Sequence, residues 1–132
     1  MKQPADKRVL ALLIIQAILV NYQCFSAFSG HGGDEAMLID FGLAFLALIA
    51  GFVAFSSQHR VAYLFAALLF SADALYWAYD FYSVIEYLDN SKPGLNFSEQ
   101  VDMALNAAQM ILGALLAFLF FKTLSQSPIQ PN

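Results

Sequence analysis

Cysteine and charge are both scarce in this chain. Cys24 is the single cysteine, which excludes an internal disulfide and a thiolate metal cluster. Lys, Arg, Asp and Glu make up only 12% of 132 residues, about half the ~25% usual in a soluble domain. Six basic residues stand against ten acidic ones, for a net charge of −4. With no basic stripe to displace counterions from phosphates, nucleic acid is excluded as a partner. A phosphate-binding loop is also missing, because Gly30-His31-Gly32-Gly33 lacks the Lys that should follow.

Apolar residues fill the space that charge leaves. They form 60% of the sequence, more than one small domain can hide from water, so the solvent implied is lipid. Four stretches reach the ~20 mostly apolar residues that a span requires. They are 9–28, 36–55, 61–82 and 101–121, with the third helix continuing to about 89. Backbone in lipid must satisfy its own hydrogen bonds, so the spans are helical. Lys7 and Arg8 before the first run, with Ala27-Phe28-Ser29 after it, imitate a signal peptide. The run is longer than the 7–15 residues of a signal core and reads as a retained span.

The expected fold is an all-α integral membrane protein, an antiparallel bundle of four transmembrane helices. Residues 1–122 form the membrane domain, and the polar, Pro-containing stretch 123–132 reads as a disordered cytoplasmic tail. Lys2, Lys7, Arg8, Arg60 and Lys122 fall on one side, and only Lys92 on the other. This bias places both termini in the cytoplasm. Short loops and small size suggest the bacterial cytoplasmic (inner) membrane. Ser29 to Gly33 reads as a flexible turn, with Asp34 as N-cap of the second helix. Residues 56–59 make a tight hairpin, and Asn96 with Glu99 resembles a capping box for the fourth helix. Small residues one turn apart, at Ala47/Gly51 and Ala50/Ala54, allow close helix contact.

The third span carries the feature that demands an account. Asp73 lies thirteen residues beyond Arg60, ~20 Å along a helix rising 1.5 Å per residue. That is past the middle of a core ~30 Å thick. An Asp at a helix centre costs about 2.5–3.5 kcal/mol on insertion scales, and the eight Leu, Phe and Val residues of the span return roughly 2.4–4.8 kcal/mol. The margin is thin, so neighbouring helices must shelter Asp73, and a proton, water or a cation must neutralise or hydrate it.

The same outer half gathers Asn21, Asp40, Asp80, Asn106 and Gln109, with Asp102 at its rim and no Lys or Arg at that depth. Asp73, Trp77 and Asp80 share a face by four-and-three spacing. With Asp40 they form a candidate proton or cation site, lined by Asn21, Asn106, Gln109 and Asp102. Carboxylate beside aromatic face suits an organic cation, although Tyr76, Tyr79 and Tyr82 equally fit an interfacial aromatic belt.

No nucleophile or electrophile is matched to these carboxylates, and neither a cofactor nor a metal set is expected. His31 and His59 fall on opposite sides of the membrane and cannot share a ligand. The chain therefore reads as a non-enzyme. One reading makes it an accessory or assembly subunit of a larger membrane complex, with a partner's basic group reaching Asp73 or Asp80. The other makes it a small homo-oligomeric proton- or cation-coupled transporter or channel working through Asp73. Small four-helix multidrug exporters share the span count, but their acidic residue is a Glu in the first span. This chain has none there, so the likeness is one of architecture.

Overall fold

The computed structural model describes residues 6–31, 35–90 and 97–126, without side-chain detail for 27–31, 35–40, 84, 87–90, 98, 99 and 102. Four helices follow in order: α1 Lys7–His31, α2 Glu35–Ser57, α3 Arg60–Asn90 and α4 Phe97–Ser125. Three of them contain stretches long and apolar enough to cross a membrane, Lys7–Ser26, Arg60–Ser83 and Met103–Ser125. In α2 the apolar stretch among the described residues is shorter, Phe41–Ser57.

Each helix buries one stripe. On α3 that stripe is Tyr63, Ala66, Ala67, Phe70, Asp73, Ala74 and Trp77, while Val61, Leu64, Phe65, Leu68, Leu75 and Tyr79 point outward. Val9, Leu13, Gln16, Val20 and Gln23 on α1 step by four and three in the same manner. That period keeps one seam facing its neighbours. Helix α3 packs on α2 and α4, and α1 packs on α2 and α4, so the four close into a ring. Large apolar side chains also point outward on every helix.

Helix ends account for most departures from the expected boundaries. Asp6 caps α1: its Oδ1 accepts the Arg8 backbone N–H at 2.9 Å, and its Oδ2 meets the Arg8 guanidinium at 2.9 Å. The hydrogen bonds from Arg8 hold the Asp6 carboxyl below its usual range. Helix α1 runs on to His31, through Ser29 and Gly30, where a turn was expected. One Gly near a helix end costs only ~1 kcal/mol, too little to stop a helix already propagating. Gln58 ends α2 in the left-handed region, φ 55°, and its N–H bonds Ala54 O at 2.8 Å. The hairpin therefore shrinks to Gln58 and His59 between the two helices. Helix α4 continues through Ser125, into the expected tail, with Thr123 buried and its hydroxyl bonded to Leu119 O at 2.9 Å. Asp34, Asn96 and residues 127–132 lie outside the described residues.

One end of the bundle, called basal here, joins the start of α3 to the end of α4. Tyr63 meets Phe120 edge-on with ring centroids 5.4 Å apart, and Phe120 stacks on Phe70 at 6.0 Å. Leu13 of α1 and Phe70 of α3 converge on Gly51 of α2, where an added Cβ would lie 2.6 Å from Leu13 Cδ2 and 2.9 Å from Phe70 Cε2. The small residues Ala44, Ala47, Gly51 and Ala54 thus make the inner face of α2.

Gly51→Ala is expected to destabilise the bundle by about 1–3 kcal/mol, because Leu13 and Phe70 are fully enclosed and have nowhere to move. Gly42→Ala meets nothing within 4 Å and should gain about 0.5–1 kcal/mol from helix propensity. Opposite shifts in unfolding midpoint of the detergent-solubilised variants check the pair.

Candidate functional site

Two tie points fix how α1 and α3 lie relative to one another. Leu13 and Phe70 meet at Gly51. Ten residues farther along α1 and α3, Gln23 and Asp80 meet at Asn106. Gln23 Nε2 donates to Asn106 Oδ1 at 2.9 Å, and Asn106 Nδ2 donates to Asp80 Oδ2 at 3.2 Å. Both tie points pair residues separated by the same interval, so α1 and α3 run the same way without slippage. Between them Gln16 falls level with Asp73. The two tiers, Gln16/Asp73 and Gln23/Asp80, lie seven residues apart, ~10 Å along the helices.

Asp73 is fully buried, as are Gln109 and Gln16, at 0%, 0% and 1% exposure. The burial of Asp73 follows from its place within the Ala and aromatic stripe of α3, whose packing fixes the helix rotation. Trp77, one turn on, donates its indole Nε1–H to Asp73 Oδ1 at 3.1 Å. Its ring is packed by Phe41, centroids 6.0 Å apart, and by Tyr76 at 5.7 Å. Both its polar edge and much of its surface are thus engaged, and Trp77 itself is only 4% exposed. The ring is not open to an organic ammonium.

Gln109 extends the Gln23/Asp80 tier. Its Nε2 donates to Gln23 Oε1, so a continuous line of side-chain hydrogen bonds runs Gln109–Gln23–Asn106–Asp80. Below it, four buried polar atoms have no hydrogen-bond partner: Asp73 Oδ2, Gln109 Oε1, and Gln16 Nε2 and Oε1. Each would cost about 1–3 kcal/mol if left so. They belong to three side chains on three helices, α1, α3 and α4. Basal to them stand Leu13, Phe70 and Phe120, all apolar and enclosed.

Of the residues expected from sequence, Asp73 and Trp77 share one hydrogen bond, and Asp80, Asn106 and Gln109 belong to the hydrogen-bonded line. Asp80 is half-buried at the distal end of the hydrogen-bonded line. Asn21 stands apart: it is exposed, and its Nδ2 donates to Ala17 O of its own helix at 2.7 Å. It sits one turn from Ala17 but off the α1 stripe, on the side away from the core. Asp40 and Asp102 fall on α2 and α4, and their side chains lie outside the described residues. Tyr79 and Tyr82 point outward. Gln16 and Gln23 were not expected in the site. Their signal was the spacing, since both pairs, Gln16/Gln23 and Asp73/Asp80, are two turns apart.

Among the described residues no three His, Cys, Asp or Glu side chains gather as a metal cluster. Neither family models, curated proteins nor solved structures match this chain.

Trp77→Phe should destabilise the protein by about 1–3 kcal/mol, because it strands the second oxygen of a buried carboxyl. The loss should shrink in an Asp73→Asn background, where no charge is left to strand. A double-mutant cycle on unfolding in detergent reads the coupling, expected at 0.5 kcal/mol or above.

Proposed function

We propose that the chain is a four-span antiparallel membrane protein, with both termini cytoplasmic, that binds and releases a small cation or proton at Asp73. The observation that supports this reading is the complete enclosure of Asp73, Gln16 and Gln109 within the bundle, with an unbonded oxygen on each. A carboxyl placed this deep is costly and is kept where it does work. Beyond Arg8 no Lys or Arg occurs in α1, none in α2, none in α3 after Arg60, and none in α4 before Lys122. Its counter-charge therefore comes from elsewhere.

Access is one-sided. The line Gln109–Gln23–Asn106–Asp80 leads from the site toward the distal end, where Asp80 is half-buried. The Tyr63–Phe120–Phe70 group closes the basal end. With the basal end cytoplasmic, by the placement of Lys7, Arg8, Arg60 and Lys122, this is the outward-connected state of a transporter. Movement of Phe70 and Phe120 would open the other side. The bacterial inner membrane, which maintains proton and sodium gradients, suits the role.

A second reading is supported by Asp80. Asp73 is too enclosed for a partner's Lys or Arg, whereas half-buried Asp80 is within reach from the distal side. An assembly subunit would dock a basic side chain there.

Purified protein in liposomes carrying a proton or sodium gradient should dissipate it, and Asp73→Asn should abolish the flux. Unchanged flux in that variant removes Asp73 from the mechanism. If the protein instead co-purifies with a larger complex that Asp80→Asn loosens while Asp73→Asn does not, assembly is its role.

A further inference from the structure

We infer that Gln16, Asp73 and Gln109 form a binding site for one small monovalent metal ion of the sodium class, held by side-chain oxygens inside the bundle. This rests on the reading of Asp73 above and names the ion. The supporting observation is an imbalance among the unbonded atoms: three oxygens, Asp73 Oδ2, Gln16 Oε1 and Gln109 Oε1, against one nitrogen, Gln16 Nε2. The Gln16 amide N–H groups can meet part of that demand. A proton on Asp73 supplies a single further donor.

Amide carbonyls are poor bases but good hard-oxygen ligands, so two glutamines beside one carboxylate suit a hard cation better than a proton alone. Charge selects the valence. One carboxylate balances one positive charge, and a divalent ion here would leave a buried excess charge. The nearest other carboxylate with a described position is Asp80, two turns away and already accepting from Asn106. The side chains of Asp40 and Asp102 lie outside the described residues. Enclosure selects the size. Exposures of 0–1% at all three side chains exclude an organic ammonium and fit a bare or partly hydrated ion. Entry is from the distal end, where Asp80 offers the first negative charge.

The protein carries its own reporter. Trp77 is its single tryptophan, and its indole N–H is bonded to the other oxygen of the same carboxyl. An ion drawn onto Asp73 Oδ2 changes the charge facing the indole, and so shifts its emission.

The test is a titration of detergent-purified protein with sodium chloride replacing choline chloride at fixed pH and ionic strength, read by Trp77 fluorescence. The expected result is a saturable shift, absent in Asp73→Asn and weakened by about tenfold or more in Gln16→Met and Gln109→Met. Circular dichroism checks that each variant is folded, and the near-isosteric Asp73→Asn keeps the test decisive if a Met variant fails. A shift with pH but none with sodium makes the ligand a proton and overturns this inference, while leaving Asp73 as the exchange site. Emission indifferent to both overturns the inference and the functional reading together. A sodium response that survives Asp73→Asn also overturns it, because the ion then binds elsewhere.

Discussion

A carboxyl group on a lipid-immersed helix sets the terms for everything around it. Asp73 cannot face hydrocarbon without a cost comparable to the whole insertion energy of its span. Helix α3 must therefore turn that side chain inward, and its neighbours must keep it there. The stripe of Tyr63, Ala66, Ala67, Phe70, Ala74 and Trp77 does this by packing. Small residues on α2 let the helices close, and Gly51 sits where Leu13 and Phe70 leave no room for a methyl. Steric fit thus fixes a rotation whose purpose is electrostatic.

The interior that results is divided along its length. Basal layers are apolar and aromatic, with Phe70 stacked on Phe120 and Tyr63 against its edge. Distal layers hold amides and carboxyls from three helices, tied by Gln109, Gln23, Asn106 and Asp80. Side-chain hydrogen bonds of this kind specify register as well as stability, because a slip of one residue on α1 would part Gln23 from Asn106. The constant interval between α1 and α3 at both tie points reflects that constraint. It also places Gln16, which no hydrogen bond locates, level with Asp73.

Much of this was legible in the sequence, and the remainder was lost for identifiable reasons. Helix number and approximate limits followed from apolar run length. Asp73 with Trp77 followed from four-residue spacing, which the indole–carboxyl bond uses directly. Burial of Asp73 was expected from cost alone. Gln16 and Gln23 escape a sequence reading, because one helix gives no information on which residues of another lie level with it. Asn21 was grouped with the site by depth, but depth does not give azimuth, and its amide folds back onto Ala17 O. Helices encroach on the turns expected at 29–33 and 56–59, because Gly and Ser compositions weigh against helix only weakly beside an established helical segment.

The central claim is that the Asp73–Trp77 face of α3 points into the bundle, and fluorescence quenching by lipid tests it most directly. The protein is placed in vesicles whose acyl chains are brominated, and Trp77 emission is compared with that of a Trp77→Phe, Leu75→Trp variant. Trp77 is 4% exposed and Leu75 72% exposed, so the native tryptophan should keep most of its emission while the variant loses most. Quenching of Trp77 as strong as that at position 75 would put the carboxyl-bearing face against lipid and contradict the account.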